Sequence, residues 1–354
     1  MVNSASDWMI YGANGYTGEL IAREAAKRGL RPVLAGRGEA VRRLGSELDC
    51  PNRTFPLDDK GAISAGLQGV RLVLNCAGPF SATAVPMIEG CLAAGTHYLD
   101  ITGEIDSIEA AAARCKQAQT AGVCLLPAVG FDVVPTDCLA AMLHARLPEA
   151  TKLQLAFRHR GGLSQGTAKS SLEALPRGGR IRRDGQIVRV PAAWKSMRVP
   201  FSRGTYWAMT IPWGDVASAW HSTGIPQIET YLALPRPMII GTRLLRPLLP
   251  LLGWRPLARF LARRIKARLK PPTESQRANS RAFLWGRASD AGGRSVEATL
   301  DTPGGYPLTV ETSLASVDRL LATPPAAGFA TPSRAFGAEF ILRFEDVKLR
   351  WIEG

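Results

Sequence analysis

Apolar residues come in short runs, separated by longer stretches of helical periodicity, through the first 130 or so residues. Asp7-Trp8-Met9-Ile10-Tyr11 reads as a strand, Gly12 to Gly18 as a glycine loop, and Glu19 to Lys27 as a helix ending at Gly29. Further strands are expected at Arg31–Ala35, Arg53–Leu57, Leu72–Ala77, His97–Leu99 and Val123–Ala128, with helices at Thr83–Ala94 and Ile105–Ala121. Strands alternating with helices predict a parallel sheet with helices on both faces, whose ligands bind at the carboxyl ends of the strands.

After Gly130-Phe131-Asp132 the rhythm changes. Leu153–Arg158, Ile187–Val190, Tyr206–Ile211, Arg281–Gly286 and Ser295–Leu300 read as strands, and Arg183-Asp184-Gly185-Gln186 and Pro303-Gly304-Gly305-Tyr306 as turns. Leu308–Ala322 reads as a helix. The expected fold is therefore α/β: a Rossmann-type doubly wound parallel sheet over residues 1–135, then an α+β domain with a mixed or antiparallel sheet over 136–325. Residues 326–354, including the stretch Phe336–Trp351, are expected to return to the first domain.

Composition adds little to this picture except through charge. With 46% hydrophobic and 21% charged residues the chain is globular in type. Met1–Asp7 lacks the basic and apolar regions of a secretory signal, and six cysteines lie in the first half without a CxxC pair, which together point to a reducing, cytoplasmic setting. The net charge is +14, and no acidic residue interrupts the ten arginines and lysines from Arg236 to Lys270. From Pro256 onward, Leu257, Phe260, Leu261, Ile265 and Leu269 share one helical face opposite that charge. Three uses stay open for this basic segment: peripheral contact with an anionic inner-membrane surface, docking of an acidic carrier protein, or cover for the chain's own core. A nucleic-acid partner is disfavoured because no aromatic residues interleave the patch for base stacking.

The candidate chemistry concentrates at the ends of the first-domain strands. Gly12, Ala13, Asn14, Gly15, Tyr16, Thr17 and Gly18 form a GxxGxxG loop between strand and helix, the arrangement that brings backbone amides close to a pyrophosphate. At the end of the second strand stands Arg37, where an acidic residue would hold the ribose hydroxyls of NAD. A guanidinium there pairs with a 2′-phosphate, so the expected cofactor is NADP(H). Asp58 is a contact for adenine or the cap of the next helix. Cys76, Ala77, Gly78, Pro79 and Phe80 form the turn expected over the nicotinamide ribose, and Gly130 and Phe131 follow the sixth strand. The four histidines make no metal-ligand spacing with the cysteines, and no metal site is expected.

Tyr11-Gly-Ala-Asn-Gly-Tyr-Thr-Gly18, Ala35-Gly36-Arg37, Asn75-Cys-Ala-Gly-Pro-Phe80, Tyr98-Leu-Asp100 and Gly130-Phe-Asp-Val-Val-Pro-Thr-Asp137 resemble the saccharopine dehydrogenase-like superfamily, in particular its trans-acting enoyl reductase branch. Gly166-Thr167, Gly178-Gly179, Arg183-Asp184-Gly185, Pro212-Trp-Gly-Asp-Val216, Ser222-Thr-Gly-Ile-Pro226, Thr331-Pro332 and Ala335-Phe336-Gly337 extend the resemblance over nearly the whole chain. It implies an NADPH-dependent reductase of an acyl or lipid-like substrate, with an activated double bond of a lipid or polyketide intermediate as the target and a carrier protein as its vehicle. Reduction of a C=O or C=N bond is the alternative among enzymes. A non-catalytic NADP(H)-binding protein on lipid surfaces is the alternative outside them, since no Tyr-x-x-x-Lys relay is present. A homo-oligomer is compatible with the sequence. Three residues are candidates for proton transfer: His221, whose ordinary pKa lies near neutrality, Asp132 after the sixth strand, and Tyr98 at a strand end.

Overall fold

The computed structural model describes residues 7–160, 178–253 and 273–353. The chain divides into two units, residues 1–134 with 308–337, and residues 135–307 with 338–354. The expected basic helix beyond Pro256 and the Gly166-Thr167 motif lie outside the described residues.

The first unit is built on a parallel sheet of β1 (Trp8–Tyr11), β2 (Val33–Gly36), β3 (Asn52–Thr54), β4 (Leu72–Asn75), β5 (His97–Asp100) and β6 (Cys124–Leu126). Their order is β6-β5-β4-β1-β2-β3, and the short strand Gly328–Phe329 adds a seventh beside β6. Helices α1 (Tyr16–Lys27), α2 (Glu39–Glu47), α3 (Lys60–Gly66), α4 (Phe80–Ala94), α5 (Ile105–Ala112) and α6 (Cys115–Thr120) connect the strands. Every residue of β1 is buried, because both faces of the sheet are covered. Trp8 and Ile10 belong to one core cluster with Ile21 and Leu34, while Met9 and Tyr11 belong to the other with Met87 and Ile88. The strand order reverses between β1 and β4, the position at which such sheets open a crevice for a ligand.

Helix Gly305–Ala322 belongs from Leu308 onward to this unit and not to the second domain, where its sequence position suggested it. Val310, Leu314, Val317 and Leu320 fall on one helical face and complete the core on the α1 side of the sheet. The single helix expected over Ile105–Ala121 is two helices. Arg114 leaves the helical backbone between them, and its guanidinium donates to the Ala110 carbonyl at 2.9 Å and to Glu89 at 2.6 Å.

The second unit contains α7 (Val134–Arg146), which enters it from the last residue of the first, then β7 (Lys152–Arg160), the hairpin β8 (Gly179–Arg183) and β9 (Gln186–Val190), and the hairpin β10 (Ser196–Phe201) and β11 (Gly204–Thr210). There follow α8 (Asp215–Thr223), β12 (Gln227–Ala233), α9 (Arg236–Leu244), α10 (Glu274–Ala278), β13 (Arg281–Ser289) and β14 (Ser295–Pro303). These strands and the last one, Lys348–Ile352, form a nine-stranded mixed sheet in which, among the described residues, only β12 and β7 pair in parallel. Asp184 and Gly185 both take positive φ, 51° and 74°, at the β8–β9 turn, as a tight hairpin requires. Gly286 lets α7 sit directly on the sheet, since a Cβ there would come within 2.6 Å of Leu143.

The tail departs from expectation. Residues up to 337 belong to the first unit, but Lys348–Ile352 pairs antiparallel with β14, placing Leu349 opposite Leu300 and Trp351 opposite Ala298. The Arg146 guanidinium lies 3.6 Å from the centre of the Trp351 ring, so cation–π contact and strand pairing both hold this segment to the second sheet. Among the described residues, no helix is long and apolar enough to cross a membrane.

Candidate cofactor site

The glycines at the end of β1 are required by close backbone approach. Gly12 has φ +82°, and a Cβ on it would come within 2.7 Å of the Ala77 nitrogen; a Cβ on Gly18 would lie 2.3 Å from the Gly12 carbonyl oxygen. The Gly12 and Ala13 amides both donate to the Ala35 carbonyl, at 2.7 and 3.1 Å, tying the loop to the end of β2. Asn14 and Gly15 at the tip are exposed, and no side chain caps the N-terminus of α1. Twelve residues of helix thus direct the positive end of their dipole toward the exposed loop tip, which fits a pyrophosphate.

Gly36 serves the same crevice: a Cβ there would come within 2.9 Å of the Asn14 side-chain oxygen. Arg37 follows it, exposed and without a carboxylate partner among the described residues. Burial pushes the Tyr11 hydroxyl up to about 12, with the Arg37 charge opposing and the Asp58 charge adding to the shift, so both charges are felt at this strand end. Asp58 is not the helix cap that its position allowed. Asp59 caps α3, accepting from the Gly61 and Ala62 amides at 2.8 and 3.1 Å, which leaves Asp58 exposed.

Comparison with known proteins bears on this crevice directly. Residues 8–125 match the saccharopine dehydrogenase NADP binding domain. This match covers 118 of the chain's 354 residues, all within the first unit. A Mycobacterium tuberculosis protein (strain ATCC 25618 / H37Rv), provisionally assigned as a trans-acting enoyl reductase, is 34% identical over 190 residues, covering 48% of this chain and 44% of the relative. A trans-acting enoyl reductase of Mycobacterium leprae (strain TN) is 32% identical over 155 residues, covering 40% of this chain and 36% of the relative. The match thus spans less than half the length of these relatives. In fold the chain is similar to an apo saccharopine dehydrogenase (L-Glu forming) from Saccharomyces cerevisiae, with TM-score 0.66, 11% identity, and coverage of 99% of this chain and 100% of that one.

Within the NADP-binding domain, a buried polar network that sequence patterns did not reveal shapes the loops after β4, β5 and β6. The Asn75 side chain accepts from the Ala77 amide at 3.1 Å, and the Thr83 hydroxyl donates to the Ala77 carbonyl at 2.5 Å. Glu104 accepts from the Phe80 and Ser81 amides at 2.9 and 2.7 Å, capping α4 and extending it three residues before its expected start. Asp100, fully buried, accepts from the Tyr98 hydroxyl at 2.7 Å and from the Thr102 and Ala128 amides at 2.9 and 2.7 Å. Burial raises Asp100 to about 6 against the opposing effect of those hydrogen bonds. Thr309 accepts from the Phe131 amide at 2.9 Å, holding Gly130-Phe131 from the late helix. The Cys76 thiol is buried and its pKa raised by that burial; what Cys76 offers the loop is its backbone, whose amide bonds Tyr11 at 2.7 Å. Gly78 is exposed and Pro79 and Phe80 are half-buried, so the turn presents a surface.

The three candidate proton donors are placed very differently. Tyr98 has no exposed surface; its hydroxyl is engaged with Asp100 and Asn75, and burial raises its pKa well above the ordinary value. Its geometry is that of a support for the loop network. Asp132 is half-buried beside Gly103, where a Cβ would come within 2.8 Å of its carboxylate oxygen, and burial pushes it up to about 7. His221 is half-buried on α8 of the second unit. Around it the sequence motifs resolve into packing pairs: Thr136 donates to the buried Asp215 at 2.5 Å, and Ser222 donates to Asp137. Sequence reading did not single out His159 at the end of β7, where burial lowers its pKa to about 4 and its ring packs edge-on against Phe157 at 5.4 Å. Among the described residues no group of three or more His, Cys, Asp or Glu forms a metal-ligand set.

Proposed function

We propose that the chain is an NADPH-dependent reductase of an activated, enoyl-type double bond in a lipid or polyketide-like acyl substrate delivered on a carrier protein. The observation that carries this reading is the exposed Arg37 beside an open glycine loop and an uncapped α1, together with the names of the relatives that share this half of the chain. Bound NADPH supplies the hydride. Gly12 to Gly18 hold the pyrophosphate, Arg37 the 2′-phosphate, and the turn from Cys76 to Phe80, with Gly130 and Phe131, orients the nicotinamide end. Asp132 is the proton donor in this reading, because a carboxyl group with a pKa of about 7 is still protonated in part at neutral pH and can return the proton that saturation of the bond requires.

The test is NADPH oxidation by the purified chain with enoyl and keto thioesters and with imines. Turnover of the enoyl member, with loss of activity in Asp132→Asn and normal NADPH affinity, is the expected result. Turnover of only the keto or imine members would reassign the bond reduced. Tight NADPH binding with no turnover anywhere would assign a binding role.

A further inference from the structure

A groove of about 560 Å³ lies on the second unit's sheet, where β7 and β12 run parallel beneath the start of β10 and α9. Alternation along these strands puts Lys152 and Gln154 of β7 on the same face as Glu229 and Tyr231 of β12, with Gln154 directly opposite Glu229. Lys195 and Arg243 reach the groove from the residue leading into β10 and from α9.

Its electrostatics are unbalanced. Glu229 is 5% exposed and, among the described residues, is the only carboxylate in the lining. Lys195 donates to it at 2.5 Å and Tyr231 at 2.6 Å. Burial alone would raise Glu229, yet these hydrogen bonds and the charges of Lys195 and Lys152 prevail and hold it below the ordinary range. The carboxylate is thus ionised and already neutralised by one lysine. Lys152 and Arg243 have no carboxylate partner among the described residues; Arg243 donates to the Ala193 carbonyl at 3.1 Å and the Ser196 hydroxyl at 2.9 Å, which fixes its guanidinium at the rim. Beside these cations Trp194 is 38% exposed and Met197 half-buried, offering an apolar ledge. With one carboxylate against three cations among the described lining residues, the groove suits an anion, and the ledge suits an organic group attached to it.

We propose that this groove is a subsite for a soluble phosphate ester, with Lys152 and Arg243 on the phosphate and Trp194 and Met197 against the organic portion. The subsite stands independently of the reductase reading.

Calorimetric titration of the full chain with 4′-phosphopantetheine and with pantetheine tests the assignment. The phosphorylated compound should bind at least roughly tenfold more tightly, the worth of one charge-assisted contact. That binding should survive Arg37→Ala, which removes the cofactor phosphate site. Lys152→Gln should weaken it about tenfold and the Lys152→Gln, Arg243→Gln pair further, whereas Glu229→Gln should strengthen it by freeing Lys195. Sedimentation with phosphatidate vesicles should be the same for the parent chain and Lys152→Gln. Equal affinity for the two pantetheines, or phosphopantetheine binding indifferent to both Lys152 and Glu229, overturns the subsite. Loss of vesicle binding in Lys152→Gln with soluble binding intact overturns its assignment to a soluble ester. Because Lys152 makes no ion pair among the described residues, its variant is expected to fold even if the Arg243 variant does not.

Discussion

At the scale of single residues, Arg37 and Asp132 carry the two most direct consequences of the site. A guanidinium without a carboxylate partner among the described residues gains a full charge-assisted contact from a 2′-phosphate, on the order of 1.5–3 kcal/mol, or roughly 10- to 100-fold in affinity for NADPH over NADH. Arg37→Ala should remove most of that ratio, and a ratio unchanged in fluorescence titrations would remove the assignment instead. For Asp132, burial lifts the carboxyl group from the ordinary range near 4 to about 7. Between these limits the folded chain holds a proton that the unfolded chain releases, so stability falls as pH rises through that window. Asp132→Asn lacks this penalty. Its stability relative to the parent, read from denaturant unfolding, should climb from about pH 4 to about pH 7 and level off above, with a slope no steeper than about 1.4 kcal/mol per pH unit. A difference that does not vary with pH would show that the carboxyl group is not held protonated by its surroundings. The placement of Arg37 was legible in the sequence because it depends only on position after a strand, here β2. The elevation of Asp132 was not, because it arises from neighbours such as Gly103 that are close only in space.

At the scale of elements, β1, β2, β4, β5 and β6 were readable from their apolar runs, whereas β3, the polar Asn52–Thr54 in place of the expected Arg53–Leu57, and the short Gly328–Phe329 were not, and the loops that shape the crevice are set by groups with no periodic signature. Glu104 illustrates the point: it lies 24 residues from Phe80 but accepts its amide, so the start of α4 is decided by a side chain outside the helix. Removing it leaves the Phe80 and Ser81 amides without their acceptor at a helix N-terminus. Glu104→Ala should therefore lower stability by roughly 1–2 kcal/mol and loosen the turn from Cys76 to Phe80. NADPH affinity should fall with it, while Glu104→Gln, which keeps one acceptor oxygen, should recover part of both. If calorimetry finds the two variants equally tight for NADPH, the cap does not govern the turn. Gly12 makes a stricter case, since an alanine there meets both an unfavourable φ and the Ala77 backbone. The break between α5 and α6 escaped sequence reading for a related reason: alanine-rich segments propagate helix until a long-range partner, here Glu89 on Arg114, fixes an interruption.

At the scale of the whole molecule, chain order misled where the two units exchange segments. Helix Gly305–Ala322 has the amphipathic face expected of it, but nothing in a periodicity says which sheet that face will cover. The strand Lys348–Ile352 is likewise short and charged on alternate positions, a pattern that suits the edge of either sheet. The remaining large-scale feature is charge. In the described part of the basic segment, α9 and the turn of 3-10 helix from Arg246 to Gly253 expose Met238, Ile240, Leu244, Leu245 and Leu248, with Leu244 at 76% exposure. Exposed leucines among arginines, in a stretch whose sequence has no acid from Arg236 to Lys270, match the chemistry of an anionic lipid surface. The full chain should therefore sediment with phosphatidylglycerol vesicles at low ionic strength and much less with phosphatidylcholine. Because the screening length falls from about 10 Å at 0.1 M salt to about 3 Å at 1 M, the electrostatic share of binding should vanish over that range. Leu244→Gln with Leu248→Gln should weaken what salt leaves behind, and glutamines at Arg259, Arg263 and Lys266 should weaken the salt-sensitive share. Binding that ignores both salt and the leucine pair would mean that these exposed side chains serve a protein partner, and the same two variants measured against an acidic carrier protein would then identify it.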